Sequence, residues 1–319
     1  MNWFGSTREY YGEKWFSAME IAYPQLFRRY QSGPVSATLM KRDVNRDRVA
    51  VIISGGGSDG PLLPGFVGNG LADACVVGAP YSAPNAYSLY EVSKDLGKEK
   101  GVLLIFNHFM GDYLNNDMAA ELLQLENYAV EIVPVQDDIG TGIGEPRENR
   151  GGRCALPFLI KIASAAAEQG KSLEEVASLV RKANLRTSTL SMVVDTQKNM
   201  VSYGNGFSGE PGFFSLENAN PQSAAEKCTE MLLADVNPSP DEKLFLLVNR
   251  LKMTSYADSY IMAGHLHHAF SQNHPVAQLR VGAYMNVLDV YGYTVTVLCA
   301  DEEIAPYLEG VLYGDSYTV

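Results

Sequence analysis

Short apolar runs recur along the first 135 residues and alternate with segments of helical spacing. Four of these runs have the length and composition of strands: residues 49–53, 72–80, 101–107 and 128–135. Strands that are apolar on both faces and alternate with helices are typical of a parallel or mixed sheet covered by helices on both sides. The pattern therefore predicts an α/β domain for this part of the chain.

Helical periodicity is clear in three further segments. Residues 8–31 have apolar side chains at helical spacing, with a kink or a break expected at Pro24. Two more helices are predicted over 155–170 and 172–184. Between the last strand and these helices, residues 136–154 form a loop rich in Gly, Pro and charge, and loops of this length are more often functional than idle.

After Asn184 the sequence changes to strand-like pieces between glycine-rich turns, followed by a helix and two C-terminal strands. We take this change as the entry into a second domain. The predicted fold is therefore two α/β domains, residues 1–185 and 186–319, with mixed or parallel sheets flanked by helices.

Composition narrows the classes of function. The 319 residues include 46% hydrophobic and 19% charged residues, and the formal net charge is −12. A chain this acidic, with no basic run, is not expected to bind nucleic acid or an anionic membrane directly. We find neither a signal-peptide pattern nor an apolar stretch of the roughly 18 residues that span a bilayer, so we expect a cytoplasmic protein.

Cysteine and histidine spacing gives no metal signature. The four cysteines lie far apart, without a CxxC pair, and are expected to be free buried thiols. His265, His267 and His268 fall on a predicted helix without a carboxylate or thiol at ligand spacing, so a solvated or packed helix face is favoured over a metal site.

The first strand leads into a glycine-rich loop, in which Gly55, Gly57 and Gly60 form a GxGxxG pattern. A dinucleotide site would need an acidic residue at the end of the next strand, and that strand ends without one. A Walker A loop would need a lysine and a hydroxyl residue where Asp59-Gly60-Pro61 stands. What remains is either a set of backbone N–H groups suited to phosphate or to hydroxyl groups, or a tight turn required only for packing.

Two other segments carry candidate chemistry. Asp112 follows Gly111 just beyond the third strand, where open α/β sheets place ligand-binding groups, and it could accept a proton from a substrate hydroxyl or simply cap a helix. The turn 204–214 contains Ser208 and Glu210, and a plain surface turn is its simpler interpretation.

Taken together, these segments resemble the substrate-binding K subunit of the phosphotransferase-dependent dihydroxyacetone kinases. The resemblance rests on ISGGGS with GFVGNG downstream, GDYLNNDMAAE, KIASAAAEQGKSLEEVA, GFSGEPG and GAYMNVLDVYGYTVTVL, which span nearly the whole chain. It implies a two-domain α/β homodimer that binds a triose in a cleft between its domains and holds no cofactor itself. ATP or ADP with magnesium belongs to a separate, nucleotide-binding L-type subunit, which a phosphocarrier recharges.

The resemblance also assigns site residues. The aspartate of the family lies beside the phosphorylated hydroxyl and matches Asp112, which makes Asp112 the expected catalytic base. The substrate is expected to contact eight further residues: Gly55, Gly56, Gly57, Ser58, Asn107, His108, Gly111 and Ser208.

The chain departs from the family at its reactive side chains. Ser208 stands where the family has the histidine that bonds covalently to the substrate ketone, and serine has no nitrogen to form a hemiaminal. A second family histidine is missing from the stretch around Asp59, and Asn107 replaces a lysine. His108 is new and could stand in for a lost base.

Two functions remain open from the sequence. The chain is either a diverged kinase subunit that binds a triose, short sugar, polyol or sugar acid noncovalently, or a catalytically inactive paralogue that senses a ligand and acts with a transcriptional regulator. Asp112 and the turn glycines favour the kinase subunit, whereas the loss of both histidines favours a changed role.

Overall fold

The computed structural model describes residues 11–30, 36–57, 62–205, 210–272, 274–285 and 290–308. The chain forms two compact units, and neither is one continuous stretch. The first unit contains the chain up to Val135, then Leu156–Arg181, and again from Tyr307. The second unit consists of Gln136–Ala155 and Lys182–Pro306, so the long loop predicted at 136–154 belongs with the C-terminal part of the chain.

The first unit is built on a six-stranded mixed sheet with the order β1-β2-β4-β3-β5-β6. Strands β3 to β6 are parallel to one another, and β2 is antiparallel to its two neighbours. The strands are β1 Phe27–Tyr30, β2 Ala37–Lys41, β3 Ala50–Gly57, β4 Ala74–Pro80, β5 Val102–Asn107 and β6 Val130–Val135. The helices are α1 Tyr11–Ala22, α2 Ala86–Leu96, α3 Met110–Leu125, α4 Leu156–Glu168 and α5 Leu173–Leu185, of which the last runs across the boundary between the units.

Both faces of this sheet are buried, as the continuous apolar strands predict. On one face, Ala50 and Ile52 of β3 pack with residues of α2 and α3. The alternate residues of the same strand, Val51 and Ile53, are also fully buried, and α4 contacts β3 and β5. Since neighbouring residues of a strand point to opposite faces, the sheet lies between two helical layers.

The prediction of one helical segment over 8–31 is wrong at its C-terminal end. The helix α1 ends at Ala22, and Phe27–Tyr30 forms the edge strand β1, paired antiparallel with β2. Pro24 cannot continue a helix, and the pairing with β2 then decides the conformation of the residues that follow it.

The second unit contains another six-stranded mixed sheet, with the order β11-β10-β12-β7-β8-β9. Leu246, Val248 and Val295 are among the residues that form its core with two helices. The strands are β7 Thr187–Asp195, β8 Met200–Tyr203, β9 Phe214–Leu216, β10 Lys243–Arg250, β11 Val276–Gly282 and β12 Gly292–Ala300, and the helices are α6 Pro221–Val236 and α7 Tyr256–Ser271. The predicted fold class, two mixed sheets with helices, is confirmed.

The four cysteines are buried free thiols, as predicted. In the part of the chain that the structure describes, no helix is long and apolar enough to cross a membrane.

Candidate functional site

The carboxyl ends of the parallel strands in the first unit bring most of the predicted site residues to one edge of the sheet. Gly55, Gly56 and Gly57 are the last three residues of β3, and Asn107 is the last residue of β5. β3 pairs with β5 in parallel register up to Ser54 and Phe106. Ligands of open α/β sheets bind at this edge, outside the carboxyl ends of the strands.

Two of these glycines are required by the protein's own packing. A Cβ atom on Gly55 would clash with the amide of Asn107, and one on Gly57 would lie 2.6 Å from the carbonyl oxygen of Gly78. Gly78 in turn allows the turn at Ser82 to fold back against the end of β4. The packing interpretation therefore accounts for Gly55 and Gly57.

Gly56 differs from its neighbours. A Cβ atom there would have its nearest contact at 3.4 Å, with the backbone nitrogen of Ser82, which is an ordinary van der Waals distance. Its φ angle lies outside the left-handed region, so an L-residue can adopt the backbone conformation. The packing of the described residues therefore does not require glycine at this position. A ligand that approaches the backbone closely would explain why the residue is glycine.

This difference predicts that alanine substitutions at Gly55 and Gly56 change the stability of the protein by different amounts. We expect Gly55→Ala to lower the free energy of unfolding by about 1–3 kcal/mol, because the new methyl group forces Asn107 out of its position. Gly56→Ala should change it by less than about 1 kcal/mol. Urea denaturation of both variants measures the contrast, and equal losses would show that Gly56 also serves the packing.

Asp112 lies in the first turn of α3 and is 5% exposed. The helix begins at Met110, and Phe109 is the capping residue, without a side-chain capping bond. The alternative that Asp112 is the N-cap of a helix beginning at Tyr113 is therefore wrong. Its position in the first turn places the carboxylate near the positive end of the helix dipole.

A buried hydrogen-bonded pair connects this helical turn to the glycine strand. The Nδ2 group of Asn116 donates to the backbone carbonyl of Asp112 at 2.8 Å and to the hydroxyl of Ser54 at 3.0 Å. Ser54 also donates to Oδ1 of Asn116 at 3.1 Å, so its hydroxyl group can both accept from and donate to the same amide. Since Ser54 directly precedes Gly55, the pair fixes the turn that carries Asp112 relative to the glycines.

Sequence reasoning missed Ser54 and Asn116. A usable signal was present, because Asn116 follows Asp112 by four residues and therefore lies on the same face of the helix. Its partner on β3 could not be identified without the tertiary structure.

The remaining predicted residues of the first unit lie close to Asp112 along the chain. Asn107 is 2% exposed, and its Oδ1 atom has no hydrogen-bond partner among the described residues. A buried acceptor without a donor costs roughly 1–3 kcal/mol, which a ligand hydroxyl group would recover. His108 is half-buried with its ring 5.9 Å from that of Tyr113, and Gly111 lies against Ala83. Ser58 and Ser208 lie outside the described residues.

The long loop of the second unit contains two buried carboxylates that the sequence did not single out. Asp137 accepts hydrogen bonds from the backbone N–H of Arg153 at 3.0 Å and from the hydroxyl of Thr189. Asp138 accepts from the backbone N–H of Gly140 at 2.9 Å. Burial raises the pKa of both carboxyl groups, and the charge of Asp137 helps to raise the pKa of Asp138 to about 7.

The charges that act on Asp138 include that of Glu210, two residues after Ser208 in the sequence. Besides burial and Asp137, the charge of Glu210 contributes to its raised pKa. Gly140 packs against Gly204 so closely that a Cβ atom on Gly140 would clash with the carbonyl of Gly204. Asp138 and Gly140 of the loop therefore interact with Glu210 and Gly204, respectively, within this unit.

Arginines hold the rest of the loop in place. Arg150 forms an ion pair with Asp235 of α6 at 2.7 Å, and Arg147 lies 3.3 Å from the same carboxylate. Arg147 also donates to the backbone carbonyl of Thr187 at the start of β7. The loop is long but is fixed by these buried and half-buried charges.

Asp138 gives the stability of the protein a specific pH dependence. Its pKa is about 7 in the folded protein against an ordinary value of 3.8, so the folded state binds more protons than the unfolded state between about pH 4 and 7. Stability should therefore fall as the pH rises through this range. Asp138→Asn keeps an acceptor for Gly140, removes the buried charge, and should stabilise the protein above pH 7 by up to about 4 kcal/mol.

Urea denaturation at several pH values between 5 and 8 measures this effect. The difference between Asp138→Asn and the parent should vanish toward pH 4. Glu145→Gln, which removes an exposed carboxylate of the same loop, serves as the control and should leave the pH dependence unchanged. A constant difference at all pH values would contradict the assignment.

The three helix histidines lie on α7, as predicted. Within the described ranges, no group of three or more His, Cys, Asp or Glu side chains is placed to hold a metal ion.

Comparison with known proteins finds relatives that match most of the chain. The sequence model of the Dak1 domain matches residues 18–312. A D-erythrulose kinase of Mycolicibacterium smegmatis is 27% identical over 293 residues, which cover 88% of this chain and 50% of that protein. The dihydroxyacetone-binding subunit DhaK of the PTS-dependent dihydroxyacetone kinase 1 of Listeria innocua is 28% identical over 279 residues, with coverages of 83% and 85%.

The fold agrees with these sequence matches. A solved structure from work on the regulation of the dha operon of Lactococcus lactis superposes with a TM-score of 0.86 at 25% identity and covers 96% of this chain and 94% of that one. The chain thus spans about half the length of the erythrulose kinase but most of the length of the single subunit.

Proposed function

Because the chain belongs to the Dak1 domain family, we propose that it is the substrate-binding subunit of a dihydroxyacetone kinase-like phosphotransferase. The substrate is a small hydroxylated compound of three to five carbons that is held noncovalently. The placement of Asp112 and of the otherwise unexplained Gly56 at the same strand-end edge carries this proposal.

The roles of the residues follow from their chemistry. The backbone around Gly56 approaches the hydroxyl groups of the substrate, and Oδ1 of Asn107 accepts a hydrogen bond from one of them. Asp112 accepts the proton of the reacting substrate hydroxyl while the hydroxyl oxygen bonds to the transferred phosphorus; the bond that breaks would be the one from this phosphorus to the nucleotide of the partner subunit, which leaves as ADP. The ATP or ADP and the magnesium ion belong to a separate nucleotide-binding subunit, with which a homodimer of this chain works.

Noncovalent binding follows from Ser208. Serine cannot form the nitrogen–carbon bond of a hemiaminal, so selection for a ketone is weaker and polyols or aldoses become acceptable. Positioning of the hydroxyl and the metal of the partner subunit still supply much of the rate of phosphoryl transfer.

A thermal-shift screen tests the binding step. Dihydroxyacetone, erythrulose, glyceraldehyde, glycerol, erythritol and erythronate are compared at equal concentration, and a ligand that binds more tightly should raise the Tm further. The shift should disappear in Gly56→Ala, where the new methyl group blocks the backbone without harming the fold. Gly264→Ala, on α7 with open space around it, is the matched control and should keep the shift. A ligand whose shift survives Gly56→Ala binds elsewhere and contradicts the proposed site.

The alternative function is a ligand sensor that acts with a transcriptional regulator, and the absence of the covalent histidine at position 208 favours it. The two functions separate in one assay. A sensor binds its ligand in the screen but gives no phosphorylated product when a nucleotide-binding subunit is supplied together with ATP and with the phosphocarrier that recharges it.

A further inference from the structure

The outward face of α3 carries a continuous row of exposed apolar side chains. They follow one another at intervals of four, four, four and three residues, and their exposed fractions range from 37% for Leu122 to 80% for Leu125. We call this row the α3 stripe; it consists of Met110, Leu114, Met118, Leu122 and Leu125. At 1.5 Å per residue the stripe is about 22 Å long.

The packing of the first unit does not account for the α3 stripe. The buried face of α3 is formed by a different set of residues, which includes Asn116, Ala119 and Leu123. At 100° per residue, the stripe lies on another arc of the helix, so α3 is apolar on two sides. A contiguous exposed apolar patch on a folded protein marks an interaction surface.

The charges beside the α3 stripe select the kind of partner. Asp117 and Glu121, one turn apart, follow its margin, and neither forms an ion pair with another residue that the structure describes. The helix contains no Lys or Arg. On the other margin lies the start of α2, which Asn115 of α3 binds through the backbone N–H of Ala86 at 3.1 Å.

We propose that the α3 stripe is the docking surface for a partner protein that meets it with apolar side chains rimmed by Lys and Arg. A basic rim neutralises Asp117 and Glu121 and adds electrostatic attraction to a chain of net charge −12. The proposal holds whichever compound binds at the strand ends.

A second copy of the chain fits the α3 stripe less well. Antiparallel pairing about Met118 would match the apolar side chains of the two copies. It would also bring Asp117 and Glu121 of one copy beside the same residues of the other, and like charges at such spacing are destabilising.

Two synthetic helical peptides test the proposal. Both carry the same leucine stripe, one flanked by lysines and the other by glutamates. In fluorescence anisotropy at low salt, the lysine-flanked peptide should bind at least tenfold more tightly, and the advantage should shrink as the salt concentration rises. Asp117→Lys combined with Glu121→Lys should reverse the preference, and Leu114→Ser combined with Leu122→Ser should weaken the binding of both peptides at least tenfold.

The controls separate this surface from others. Tyr260→Ser combined with Ile261→Ser removes exposed apolar side chains from α7 and should leave peptide binding unchanged. Asp112→Asn should also leave it unchanged, so that failure of docking and failure of the proposed chemistry are distinguishable.

Three outcomes would overturn the proposal. Equal affinity for the two peptides would show that Asp117 and Glu121 do not select a basic partner. If neither peptide binds, the α3 stripe is not a docking surface. Dissociation of a dimer by the Leu114→Ser and Leu122→Ser pair, measured by sedimentation equilibrium, would assign the α3 stripe to a second copy of the chain.

Discussion

Asp112→Asn is expected to lower the rate of substrate phosphorylation by about 10²–10⁴-fold, the contribution typical of a positioned general base. Asparagine has nearly the same shape but cannot accept the proton of the reacting hydroxyl. The neighbouring Asn116 bonds to the backbone carbonyl at position 112, not to the side chain, so the turn should keep its position. The assay supplies ATP, a nucleotide-binding subunit and the phosphocarrier that recharges it, and measures phosphorylated product.

The same variant should bind substrate normally in the thermal-shift assay. Its free energy of unfolding should fall by less than about 1 kcal/mol, the value of a carboxylate in the first turn of a helix. Glu174→Gln, which removes an exposed carboxylate from the first turn of α5, is the matched control and should retain full activity. Unchanged activity in Asp112→Asn would exclude Asp112 from the reaction.

Asp73→Asn is expected to produce the largest loss of stability, about 3–5 kcal/mol. Asp73 is fully buried just before β4 and accepts from Lys41 at 2.7 Å, from Arg48 at 2.8 Å and from the backbone N–H of Val51 at 2.8 Å. Lys41 and Arg48 are themselves buried. The substitution leaves two buried positive charges, and among the residues that the structure describes only the half-exposed Glu168, which pairs with Arg48 at 2.8 Å, remains to compensate them.

Urea denaturation measures this loss as a lower midpoint at an unchanged slope. Glu131→Gln breaks the exposed ion pair between Glu131 of β6 and Arg181 of α5 and should cost no more than about 1 kcal/mol. A loss of similar size in both variants would show that the buried cluster carries no special weight. The cluster precedes β3 and β4, at the edge opposite the candidate site, so ligand binding should be unaffected in the folded fraction.

Periodicity was sufficient to predict most elements of the fold. Strands β3 to β6 of the first unit begin and end within a few residues of the four apolar runs, because strands buried on both faces leave a strong signal. The short strand β2, Ala37–Lys41, was not predicted. The edge strand β1 was missed because Phe27–Tyr30 contains two arginines and follows a helical pattern. Its strand conformation comes from pairing with β2, which no local pattern contains.

The candidate site, too, was predicted only in part from the sequence. Asp112 and the glycines were accessible from the sequence, because they follow predicted strands and match a family motif. The different demands on Gly55 and Gly56 depend on which atoms lie beyond each Cβ position. The raised pKa of Asp138 depends on burial within the second unit, and the sequence offered only the length and composition of its loop.

The interrupted course of the first unit has a consequence for biosynthesis. Its sheet is complete at Val135, but helix α4, which contacts β3 and β5, follows only after the chain has contributed residues 136–155 to the other unit. During synthesis from the N-terminus, one apolar face of the sheet stays uncovered until α4 has been made. The carboxylate of Asp137 likewise lacks its hydrogen bond from Thr189 until the chain has reached β7. A nascent chain halted near residue 150 would therefore expose an uncovered sheet face, the state in which chaperones bind growing polypeptides and in which aggregation begins.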